Sequence, residues 1–169
     1  MPLFQTIDLS QPLNQIKQRY GERYFFKPEA FAEAADLWGF TDYNQHGVTP
    51  SQEESILEAN SCKASLRLAE STKGYWLMSY SVETSLSGAS SCPNVFDSIG
   101  YSTREDAVEA GTFAIKDFYQ QELDAGNNSH KSSHRIGIEQ AIKLIEQSEK
   151  QPELDLFALS QTSGGNHAR

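Results

Sequence analysis

Cys62, Cys92, His130 and His134 are the side chains of this sequence best suited to hold a metal. The two histidines have the three-residue gap of a zinc-binding helix turn, and two thiols would complete a tetrahedral set. The cysteines, however, stand 30 positions apart instead of in a Cys-x-x-Cys knuckle, and the histidines fall in a polar linker. No metal or other cofactor is therefore expected, and two cysteines are too few for a disulfide scaffold, so both read as reduced thiols. The Ser85 to Ser91 run, with Gly88, offers hydroxyl nucleophiles, and Cys92 before Pro93 offers a thiol. A hydrolase would need one of the four histidines within hydrogen-bond reach of Cys92 or of a serine in that run. Neither a Gly-x-x-x-x-Gly-Lys loop nor a Gly-x-Ser-x-Gly elbow is present. The carboxylate pairs Glu53-Glu54 and Glu105-Asp106 read as first helical turns, where they offset the helix dipole. With no catalytic set, the chain reads as a non-enzyme, and the hydrolase remains an alternative.

Tyr20, Tyr24, Phe25 and Phe26 cluster near Arg19 and Arg23. Aromatics interleaved with arginine can stack on bases, but ahead of a helix they more often fill the edge of a core, which is the reading favoured here. Charge argues the same way: 14 basic against 23 acidic residues give a net charge of -9, which opposes the displacement of phosphate counterions. Direct nucleic-acid binding is not expected. The acidity has two readings, solubility or mimicry of a nucleic acid, and solubility is the simpler. No run approaches the roughly 18 to 20 apolar residues of a membrane span. The start, MPLFQTIDLSQPLNQ, lacks a basic segment followed by an apolar one, so a cytoplasmic location is expected.

Near the C-terminus the segment Gln151-Pro152-Glu153-Leu154-Asp155-Leu156-Phe157 carries three large apolar residues in a polar context. It resembles the linear peptides by which bacterial replication and repair proteins bind the sliding clamp. The resemblance implies a protein partner, with Gln151 in a polar subsite and Leu154, Leu156 and Phe157 filling a hydrophobic pocket. Pro152 stands where that family often has Leu. The competing reading is a final strand or apolar clasp, with Leu154, Leu156, Phe157 and Leu159 folded back on the domain. Residues 62 to 157 contain a hairpin with Trp76-Leu77-Met78-Ser79-Tyr80, a Gly/Ser-rich loop, Ser-Thr-Arg-Glu-Asp-Ala and a second helix. This order is similar to a small accessory domain of phage- and plasmid-borne proteins, including some of partition type. Thr103 to Ala107 after a hairpin also resembles HicB-like antitoxins, from whose strand spacing the gap between Glu83 and Tyr101 departs. Either resemblance implies a mobile-element protein that acts by binding a protein of DNA metabolism or host defence.

The elements that must position these residues follow from periodicity. Residues 1 to 24 mix Gln, Pro, Leu and Ser and read as an arm. Pro28 to Trp38 reads as a helix, with Pro at its first position, Gly39 as its stop, and Phe31, Ala34, Ala35 and Trp38 as its buried stripe. Thr49-Pro50-Ser51-Gln52 has the pattern of a capping box and predicts a short helix to about Asn60. Ala64, Leu66 and Leu68 alternate with polar residues, and Tyr75 to Val82 alternates as well, which predicts an antiparallel hairpin. Residues 83 to 100 read as a long loop, shortened by a third strand near Val95 and Phe96. Ser102-Thr103-Arg104-Glu105 caps a helix whose face is Ala107, Gly111, Ala114, Ile115 and Phe118, to be packed against Trp76, Met78 and Tyr80. Ile136, Ile138, Ala141, Ile142 and Ile145 mark a last helix of about three turns, and residues 160 to 169 carry no periodicity. The expected class is α+β: a small antiparallel sheet covered on one face by helices, with an arm (1–24), one domain (25–149) and a tail (150–169).

Overall fold

The computed structural model describes residues 4–59, 61–125 and 133–150. In chain order its elements are β1 (Thr6–Asp8), α1 (Ser10–Tyr20), a 3-10 helix (Gly21–Phe26), α2 (Pro28–Trp38), β2 (Gln52–Ala59), β3 (Cys62–Glu70), β4 (Trp76–Glu83), β5 (Gly88–Ser90), β6 (Ile99–Tyr101), α3 (Arg104–Ala125) and α4 (Ser133–Lys150). The class is α+β. All strand pairs are antiparallel, in the order β1-β6-β4-β3-β2, with β5 also on β4.

The hairpin forms because its alternating side chains divide between two faces. Ala64, Leu66, Leu68 and Val82 face α3 and α4, joined by half-buried Trp76, Met78 and Tyr80. α3 comes close because it carries small residues there: Ala107, Ala110 and Gly111 are buried, and a Cβ on Gly111 would lie 2.5 Å from Leu66 Cδ2. The buried stripe of α3 is turned slightly from the expected one. Thr112 and Tyr119 are buried, whereas Ala114 and Phe118 are only half-buried. The Tyr119 hydroxyl donates to the Lys63 carbonyl at 2.9 Å, so the ring closes the far end of this core with its polar tip satisfied.

The opposite face is also covered, which corrects the expectation of helices on one face only. Ala69 and Leu77 point there, into a second core with Leu13, Ile16, Phe31, Ala34, Trp38 and Val95. Residues 1 to 24 are therefore not a free arm over their described part. β1 pairs with β6, and α1 buries Leu13 and Ile16. The signal was weak in sequence because three apolar positions (Leu13, Ile16 and Tyr20) are the whole stripe of α1.

The helix expected at 49–60 is β2. Thr49 instead ties this stretch to a distant segment, its N–H and hydroxyl both donating to the Pro93 carbonyl, at 3.0 and 3.3 Å. Pairing with β3 then outweighs local propensity, which differs little between states for such residues. The long loop is likewise ordered: β5 lies on β4, Val48 bridges Asn94, and the third strand is β6 at Ile99–Tyr101, not at Val95 and Phe96. Thr103, one residue after the expected cap, caps α3: its hydroxyl accepts from Asp106 N–H at 3.1 Å and donates to Asp106 Oδ2 at 2.7 Å. The last helix extends to Lys150, two turns longer at its two ends combined than the apolar repeat marks.

Candidate functional site

The two thiols lie on opposite faces of the sheet. Cys62 is buried in the α3/α4 core, where burial pushes its thiol pKa up, and Cys92 is exposed on the other side. There Arg67 Nη1 donates to the Ser91 carbonyl at 2.8 Å and to Ser90 Oγ at 3.2 Å, with Cys92 Sγ at 3.5 Å. The guanidinium thus pins the serine-rich segment across the strands, and Ser79 Oγ adds a bond to the Ser91 carbonyl at 3.1 Å. A Cys62/Cys92 zinc set is excluded by this separation. His130 lies outside the described residues, and among the described residues no three His, Cys, Asp or Glu side chains gather as metal ligands.

One histidine does reach the serine run: Ser85 Oγ and His134 Nδ1 are 2.8 Å apart. This is the geometry set above for a hydrolase. The surroundings supply little more of one. Glu122 accepts from Ser87 at 2.6 Å instead of orienting the imidazole, and the Leu86 and Ser87 amides point to Thr84 Oγ1, so neither is free to stabilise an oxyanion. Ser85 is exposed and His134 half-buried.

The carboxylate pairs have structural roles. Glu53 accepts from Ser65 Oγ at 2.7 Å and lies 3.7 Å from Arg67; the Ser65 bond first, then Arg67, holds its carboxyl below the usual range. Glu54 pairs with Arg104, and the Asp106 carboxylate accepts from the Thr103 hydroxyl that caps α3. Glu33, Glu58, Glu139 and Glu149 also pair with cations of the chain itself.

The aromatic cluster ahead of α2 divides. Tyr24 packs edge-on against Phe96 at 4.8 Å with Lys17 Nζ over both rings, and Tyr20 donates to Glu33 at 2.8 Å, so these two are the expected core edge. Phe25 and Phe26 are not. Their rings touch at 4.4 Å and stand 47% and 69% exposed. Backbone chemistry puts them there. Gly21 leaves α1 with φ of 72°, the 3-10 turn follows, and Pro28 at the start of α2 holds Lys27 extended, which ends the turn with both phenyls outside. Together with Pro28, Phe31, Tyr43, Asn44, Gln45 and His46 they line a surface groove of about 510 Å³. The far wall is fixed by Asn44, whose side-chain oxygen accepts from His46 N–H at 2.8 Å and Val48 N–H at 3.1 Å. Gly47 (φ 74°) lets that turn press onto Phe31, which a Cβ would meet at 2.8 Å. A second groove, of about 400 Å³, has a mixed lining that includes Glu53, Glu58, Lys63 and Ser65 beside Leu57 and Ala64.

Gln151, Leu154, Leu156 and Phe157 lie outside the described residues. Among the described residues no helix is long and apolar enough to cross a membrane. No family model, no curated protein and no solved structure matches this chain.

Proposed function

We propose that this chain is a non-enzymatic module that binds another protein through the Phe25–Phe26 shelf, in the cytoplasm and in the service of a mobile genetic element. The observation that carries this reading is the exposure of two touching phenyl rings beside an aromatic groove. Burying one such side chain is worth about 1.5–3 kcal/mol, and aromatic pairs in pockets dominate interface energetics. The clamp-type pattern of Gln151, Leu154, Leu156 and Phe157 supports a partner in DNA metabolism, and the partition-type likeness of residues 62–157 extends the choice to host defence.

The test is affinity capture with the full chain, comparing wild type, Phe26→Ala and, as a control, Leu86→Ala at another exposed position. A protein held by wild type and by the control but released by Phe26→Ala, with a dissociation constant 10-fold or more weaker once purified, is the expected result. Equal retention by all three would remove the shelf from the reading. The contact between Ser85 and His134 favours the hydrolase as a second reading. Turnover of p-nitrophenyl acetate above background that Ser85→Ala abolishes would replace binding by catalysis.

A further inference from the structure

β2 is an edge strand: it pairs with β3 on one side, and among the described residues no strand pairs with its other side. Its eight residues present unpaired N–H and C=O groups along that edge, a template for a further strand. A bulge at Ile56, between the Ser55–Ser65 and Leu57–Ala64 pairs, bends the edge without ending it.

The two faces that meet at this edge differ in chemistry. Glu53, Ser55 and Glu58 share one face with their partners on β3, and that face continues to Ser81 and Glu83 of β4. The groove of about 400 Å³ lies on this side, and its carboxylates, Glu53, Glu58 and Glu83, outnumber its one lining cation, Lys63. All three carboxylates are exposed. Arg67 stands 3.7 Å from Glu53 and Lys63 3.4 Å from Glu58, while Glu83 has no ion pair among the described residues. Exposed pairs of this length are weak and give way readily to a partner's cation. On the other face α4 packs against β2, with Gly137 against Ser61 and Cys62 at the β2–β3 turn. Leu144 follows Gly137 by seven residues, within about 20° of it around the helix, so it lies on the same flank of α4. It is 44% exposed, and Ile56 beside the first core is half-buried, so this side of the edge is apolar and incompletely covered.

These two faces select the occupant. A second copy lying antiparallel on β2 in full overlap would set Glu53 opposite Glu58, and like charges so placed oppose pairing. A strand that alternates basic with apolar residues fits both sides. We infer that β2 takes an extended segment of a partner protein as a further strand, with lysine or arginine over the groove carboxylates and apolar residues against Ile56 and Leu144. The inference goes beyond the proposed function and uses no residue of the Phe25–Phe26 shelf.

The probe is a capped octapeptide of alternating lysine and valine, with a glutamate–valine octapeptide as control, each added to the full chain. The lysine peptide should slow hydrogen exchange of the β2 amides that point away from β3 by about 10-fold or more, and the glutamate peptide should leave them fast. Glu53→Gln combined with Glu58→Gln should weaken binding of the lysine peptide about 10-fold by calorimetric titration. Outward β2 amides that already exchange slowly in the free chain, whether covered by another part of it or by a second copy, overturn the inference. So does failure of the lysine peptide to slow those amides, equal protection by both peptides, or unchanged affinity in the double variant.

Discussion

Replacing Gly111 by alanine sets two opposed effects against each other at a site whose geometry decides the sign. In an open helical position the change is favourable by about 1 kcal/mol, because alanine loses less conformational freedom on folding. Here the added Cβ would lie 2.5 Å from Leu66 Cδ2 and 3.0 Å from Met78 Sδ. Carbon atoms rest about 3.5–4.0 Å apart, so Leu66 would have to retreat by about 1 Å. Leu66 is fully buried at the centre of the first core and has nowhere to go, while half-buried Met78 can yield. Over-packing of this kind costs about 1–3 kcal/mol. The net expectation is a loss of roughly 0–2 kcal/mol, or several degrees in melting temperature at about 2–4 °C per kcal/mol. Gly137→Ala in α4 is the internal control. Its Cβ would meet the exposed hydroxyl of Ser61 at 3.1 Å and Cys62 Sγ at 3.9 Å. That hydroxyl can rotate away, so the propensity gain survives and the melting temperature should rise by about 2–4 °C. Thermal melts of both variants, followed by circular dichroism, would refute the packing argument if Gly111→Ala were as stabilising as Gly137→Ala.

Asp97 gives a pH prediction. Burial raises its carboxyl pKa, against the lowering effects of the Asn94 N–H bond at 2.8 Å and of Lys17. A raised native pKa contributes stability that is complete below the unfolded carboxyl value of about 3.9 and is lost as pH rises through the native one. Asp97→Asn removes this dependence, so its melting temperature relative to wild type should be higher at pH 7 than at pH 3.5; a constant difference would contradict the burial cause. The thiols should separate kinetically: dithionitrobenzoate is expected to titrate Cys92 in the native protein and Cys62 only after denaturation, and fast reaction at both would show that the first core is open.

Local chemistry made much of this fold readable. Pro28 to Trp38 and the hairpin appear in the sequence with nearly their structural boundaries, because a proline start, a left-handed glycine stop and an alternation of period two act through neighbouring residues. The packing of the hairpin on α3 could also be read, since the small residues Ala107 and Gly111 face Leu66 and Met78. Trp76 belongs to that core but is only half-buried, so its truncation should cost less than the roughly 3–5 kcal/mol of a fully buried tryptophan.

The candidate site was less legible. Phe25 and Phe26 carry the same composition signal as Tyr20 and Tyr24, and nothing local separates a ring that finds Phe96 from one that finds water. The contact between Ser85 and His134 joins residues 49 positions apart and has no sequence signature.

By itself, then, the sequence determined the α+β class, the acidic balance, and those elements whose start, stop and period are written in adjacent residues. Tertiary structure alone decided that 52–59 is a strand, that the N-terminal segment is part of the second core, and which aromatics stay exposed. Each of these outcomes depends on partners far along the chain: Pro93 holding Thr49, Tyr101 pairing with Thr6, Phe96 covering Tyr24. Residues of nearly neutral propensity go where long-range pairing and burial lead, and those free energies are set only when the whole chain has closed on itself.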